Sequence, residues 1–162
     1  MKKITYTRQD GFSERDLLHW AIDHLASARI LFEENHRCLD SAGYLSHLGI
    51  ELVLKAILLN CKNDFPNEHS LAKLSDLIER QGVNLNYTKE HKETLKTLDA
   101  FYELRYPEAQ NPIEIGDDDW EKIESFFEHL CFLLPDQIQQ DLRQMNYFEK
   151  GKRILMMKKK SI

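Results

Sequence analysis

Apolar residues along this chain of 162 recur at steps of three and four, and no stretch alternates convincingly with period two. The first stripe runs Leu17, Ala21, Leu25, Ala28, Phe32, and Ser13 ahead of it offers a side-chain cap with an acid three residues on. A turn is expected around "NHRCLDSAG". Residues 44–60, "YLSHLGIELVLKAILLN", then predict a helix that is apolar nearly all round, as a central helix is. "KNDFPNEH", with Pro66 and two asparagines, reads as a loop. "SLAKLSDLIERQG" predicts a short helix with Leu71, Leu74, Leu77 and Ile78 inward and Gly82 as its stop. Thr88 caps a fourth helix, "KEHKETLKTLDAFYELRY", which Pro107 ends. "PEAQNPIEIG" is a loop, and Asp117 opens a fifth helix with three acids in its first turn, where the helix dipole favours them. Pro135 breaks that helix, leaving "DQIQQDLRQM" as a shorter amphipathic helix or a continuation past a kink. The pattern predicts an all-α, up-and-down bundle of four to five helices over residues 13–145, followed by a tail at 146–162.

Polar residues break the apolar pattern at two places. His47, Glu51 and Lys55 interrupt the greasy second helix at four-residue steps, so they stack along one face. That row must meet water, a groove or partners inside; an exposed Glu–Lys pair of this orientation contributes only about 0.3–0.5 kcal/mol. In the fourth helix the stripe Leu95, Leu98, Tyr102 ends on Arg105. A buried unpaired guanidinium is prohibitively costly, so Arg105 either reaches water along its stem or meets a carboxylate. Glu51 and Glu108 are the candidates, and Tyr102 and Tyr106 bring hydroxyls to the same end. The expectation is a two-helix polar centre with Glu51 anchoring Arg105, Lys55 beside it and His47 at the rim.

Composition narrows the classes. With 42% hydrophobic and 30% charged residues the chain suits one globular domain rather than a disordered one. The apolar runs near residues 48–59 and 126–134 are too short to span a bilayer, and "MKKITYTRQDGF" lacks a signal-peptide core, so a cytoplasmic location with no membrane contact is expected. Cys38, Cys61 and Cys131 are odd in number and form no CxxC pair, which fits isolated thiols rather than disulfides or a zinc site. The net charge of −5 conceals an asymmetry, because Lys150, Lys152, Arg153, Lys158, Lys159 and Lys160 fall in the last thirteen residues. Without those six positive charges, residues 1–149 stand at −11, a poor non-specific nucleic-acid binder. The basic tail fits a solvated end or a contact with RNA or an acidic partner. No glycine-rich phosphate loop and no HExxH motif is present, and His19 with Asp23 is too little for a metal site, so no metal or cofactor is expected. The aromatic and leucine residues of the fifth helix wrap it fully, as core or in part as a dimer interface.

"YLSHLGIELVLKAILL", His69 in "HSLAKLSDLI" and "FYELRYP" together resemble the HEPN domain family over roughly residues 15–135. The resemblance implies a four- or five-helix bundle that dimerises. Many members are metal-independent endoribonucleases that pair two copies of an Arg-x4–6-His motif, in which histidine handles the ribose 2′-hydroxyl proton and arginine steadies the phosphorane charge. Here Asn111 stands where that histidine is expected, and an amide cannot shuttle a proton near neutral pH. The Arg105–Tyr106–Pro107 variety resembles members that accompany minimal nucleotidyltransferases as toxin–antitoxin pairs. On that reading Arg105 and Lys55 contact phosphate, His47, His69, Tyr102 and Tyr106 line a polar groove, and a tyrosine could accept a nucleotide. The first reading is thus a non-nucleolytic module that binds a nucleotide, RNA or a nucleotidyltransferase. The others are a ribonuclease using His47 or His69, and a structural dimeric adaptor.

Overall fold

A computed structural model of the chain describes residues 4–106, 113–116 and 118–144. Six α-helices lie among them: α1 (Glu14–Glu34), α2 (Leu39–Lys62), α3 (Leu71–Arg80), α4 (Lys89–Phe101), α5 (Asp118–Phe132) and α6 (Asp136–Gln144). The expected all-α bundle is what forms. Pro107, Glu108, Asn111 and Asp117 and the tail from 145 onward, which carries the expected basic segment, lie outside the described residues.

The helices start where side chains can accept the free N–H groups of a first turn. Ser13 accepts from the Asp16 amide, Ser70 from Lys73 and Thr88 from His91. α2 differs from its expected bounds: it begins at Leu39, inside the stretch read as a turn. Gly43 is the reason this segment looked like a loop, and its role is packing. A Cβ there would sit 2.7 Å from Leu104 Cδ1 and 3.2 Å from Phe101 Cδ2, so only glycine lets the end of α4 close on α2. Gly49 does the same for α1, where a Cβ would meet Leu25 Cγ at 2.5 Å.

α2 is the centre, packed against α1, α3, α4 and α5. By length and composition it is apolar enough to cross a membrane, yet 78% of its most hydropathic window is buried inside the bundle. The predicted stripe of α1 is buried throughout, as are Ile50, Val53, Leu54, Ile57 and Leu58 of α2, and Trp120, Ile123, Phe126, Phe127, Leu130 and Leu134 are core residues too. Most of the apolar surface of α5 is thus packed inside the bundle, while Leu133 is half-buried and Phe132 exposed.

Two other expectations need correction. "KNDFPNEH" is not all loop: Asp64–Pro66 pairs antiparallel with Thr5–Thr7, as strands β2 and β1. This antiparallel pair fastens residues 5–7 to the end of α2, where Arg8 donates to Asn63 Oδ1 at 2.7 Å and to the Leu59 carbonyl at 3.2 Å. A cation on the last carbonyls complements the helix dipole. The fourth helix also stops early, at Phe101, and continues as a 3-10 turn over Tyr102–Arg105. That change of winding decides where Arg105 points.

Candidate functional site

The row His47–Glu51–Lys55 faces neither water nor a groove but the interior, with His47 0%, Glu51 5% and Lys55 7% exposed. Lys55 Nζ lies 2.5 Å from Glu51 Oε1. His69, from the segment before α3, places Nδ1 3.1 Å from the same oxygen and 3.2 Å from Oε2. His47 Nε2 stands 3.4 Å from Oε2, at the outer limit of a hydrogen bond, while its Nδ1 lies 2.8 Å from the Leu98 carbonyl oxygen. A carbonyl only accepts, so the His47 Nδ1 carries a proton. Burial raises the Glu51 carboxyl, but His47, Lys55 and His69 outweigh it and hold the group below its ordinary value. The result is one carboxylate surrounded by an ammonium and two imidazoles.

Above this charge centre lies an aromatic layer. The His69 ring stacks on Tyr102 at 5.2 Å with 14° between planes, and the His47 ring lies 5.0 Å from the same phenol. The Arg105 guanidinium sits 4.0 Å from the Tyr102 ring centroid and 5.3 Å from that of Tyr106, and donates to the Tyr102 hydroxyl at 2.7 Å. Burial raises the Tyr102 phenol above its ordinary value, opposed by the Arg105 charge, so the hydroxyl keeps its proton at neutral pH.

The structure thus gathers His47, Glu51, Lys55, His69, Tyr102, Arg105 and Tyr106 around the C-terminal end of α4; Asn111 lies outside the described residues. Their roles differ from those expected. Glu51 does not anchor Arg105: Lys55 and the two histidines occupy it, and Arg105 is exposed with no carboxylate paired to it among the described residues. His47 is not at the rim but at the bottom, and His69 takes the rim with 42% of its side chain exposed. The physical cause is the 3-10 turn, which rotates each residue about 20° further than an α-helix and swings Arg105 off the core stripe.

Sequence reasoning missed Asp99. Its carboxylate accepts from the Leu71 N–H at 2.6 Å, the Ala72 N–H at 3.1 Å and the Ser70 hydroxyl at 3.2 Å, fixing the start of α3 against α4. Because His69 immediately precedes that start, Asp99 sets the position of the rim imidazole. Nothing in the spacing of an aspartate in the last turn of α4 signals such a contact.

A family model for the HEPN domain matches residues 14–133, most of the chain. The chain belongs to the HEPN family. Comparison with curated proteins and with solved structures returned no significant match. Within this HEPN bundle, Arg105, whose "RYP" context contributed to the resemblance, lies in the layer that covers Glu51. HEPN domains are often linked to nucleotide or RNA binding or to ribonuclease activity. The matched span ends near α6 and leaves the basic tail outside it.

Proposed function

We propose that this HEPN protein is a non-nucleolytic module that binds a phosphate-bearing ligand, a nucleotide or RNA, on the layer formed by His69, Tyr102, Arg105 and Tyr106. The observation that carries the reading is the arginine. Its guanidinium is exposed, unpaired with any carboxylate among the described residues, and held in place by a hydroxyl and two aromatic rings. A fixed guanidinium presents its fork to phosphate at little entropic cost. Tyr106, exposed at 75%, offers a face for a base to stack on. Beneath them one carboxylate stands against Lys55, His47 and His69, so the ground under the site is not acidic although the chain is. A homodimer and a nucleotidyltransferase partner, in a cytoplasmic toxin–antitoxin pair, are the setting this reading proposes.

The test is a thermal shift with ATP and with a short single-stranded RNA. A ligand at one hundred times its dissociation constant adds about 2.7 kcal/mol to the stability of the protein that binds it. Arg105→Ala, on an exposed residue, leaves the unliganded melting point in place and cancels the shift. No shift with either ligand contradicts the proposal.

A second reading, a metal-independent ribonuclease with a non-standard base, is favoured by the Glu51–His69 pair. Glu51 occupies Nδ1 of His69, which leaves Nε2 available on a partly exposed ring that stacks on Tyr102, the phenol Arg105 also covers. Cleavage of RNA in EDTA, lost in His69→Ala and in Arg105→Ala, would support it; intact RNA with clean protein sinks it.

A further inference from the structure

Two more histidines meet at the opposite end of α4. His91 Nδ1 accepts the Thr88 N–H at 3.3 Å while the Thr88 hydroxyl accepts the His91 N–H at 3.1 Å. This is a capping box with an imidazole where glutamate or glutamine is usual. His129 on α5 lies against His91, ring centroids 4.3 Å apart, and its Nε2 donates to the Leu85 carbonyl at 2.7 Å. The two imidazoles therefore hold both ends of one segment, His129 through Leu85 and His91 through Thr88. Between those points Tyr87 packs on Phe126 at 5.3 Å and pairs its hydroxyl with Ser75 at 3.1 Å. The same segment walls a cleft of about 380 Å³ with Ser75, Leu85, Tyr87 and Lys92 in its lining.

We infer that His91 and His129 form a proton-sensitive latch on residues 85–88, closed while His91 is neutral and loosened when it takes up a proton. A protonated Nδ1 has no lone pair for the Thr88 N–H. The new charge would stand in the first turn of α4, at the positive end of its dipole. The titratable and charged groups around His91 are His129 on α5, Glu90 on α4 itself, and Tyr87 in the segment, with Glu79 of α3 acting on Tyr87. Of these, Glu90 favours the proton and His129 opposes it; burial pushes the Tyr87 phenol up to about 12, so it stays neutral. Burial first, then His129, hold His91 below its ordinary value of 6.5. The closed segment thus binds fewer protons than the open one. The latch is at full strength above pH 6.5 and weakens as pH falls below it.

The experiment reads the hydrogen-exchange protection factor of the Thr88 amide at about pH 8 and about pH 5, corrected for intrinsic exchange, in the full chain. Wild type should lose protection at the lower pH, by about tenfold for each pH unit by which His91 lies below its ordinary value. His91→Gln keeps a capping acceptor that does not titrate, and its protection should be the same at both values. His91→Ala should be poorly protected at both. Equal protection in wild type at the two values, or the same loss in His91→Gln, would overturn the latch.

Discussion

The two ends of α4 are built from the same kinds of side chain and differ in the charge that faces them. At the Arg105 end, His47 and His69 pack against Tyr102; at the Thr88 end, His91 and His129 pack against Tyr87. Among the described residues, only the first has a carboxylate within ion-pair distance of its imidazoles, Glu51. There His47, Lys55 and His69 hold the Glu51 carboxyl below its ordinary value, and the carboxylate is the counter-ion of the buried Lys55 ammonium. At the second pair, His91 is held below its ordinary value by burial and by its neighbour. One glutamate on the central helix separates a centre built around a carboxylate from one in which burial disfavours the charged form of His91.

The largest expected effect comes from removing that glutamate. Glu51→Gln leaves Lys55 buried without its counter-ion, and breaking such a pair costs about 3–5 kcal/mol. Urea unfolding at neutral pH measures it. A loss below about 1 kcal/mol would mean that Lys55 escapes to water and that the buried centre is not a coupled unit. Asp99→Ala comes next. It strips the acceptor from two backbone donors and a hydroxyl at the start of α3, for about 1–3 kcal/mol, and should also displace the His69 ring signals in an NMR spectrum.

A smaller effect separates the ends by pH. Glu51 lies below its ordinary 4.5, so its contribution is complete above that pH and is lost as pH falls through the folded value. His91 lies below 6.5, so its contribution begins to fade in the higher window. The stability curve of wild type should fall in two stages on acidification, and His91→Gln should remove the upper stage alone. Persistence of both stages in that variant would break the contrast between the two ends.

Much of the bundle could be read from spacing. The stripe of α1, the apolar run of α2, the caps at Ser13 and Thr88 and the stop at Pro135 are local features, and local features survive into the fold. The misreadings come from contacts distant in sequence. β1 and β2 are three residues each, too short to show alternation, and exist by pairing across the α1–α2 hairpin. Gly43 resembles a turn residue until the close approach of Leu104 and Phe101 explains it. His69 came into view only through the family resemblance, whereas His47, Glu51, Lys55, Tyr102 and Arg105 were legible as unusual, because polar groups at core spacing demand partners. Who partners whom was not. That depended on α4 giving way to a 3-10 turn at Tyr102, which sends Arg105 outward and leaves Glu51 to Lys55 and the histidines.

The most direct test of the binding centre follows the histidine and tyrosine ring signals while ATP is titrated into isotope-labelled protein. The account predicts that His69 and Tyr102 move together and saturate, that His91 and His129 stay in place, and that Arg105→Ala abolishes the movement. Saturable shifts at His91 and His129 with His69 and Tyr102 unmoved would put the binding site at the wrong end of α4 and contradict it.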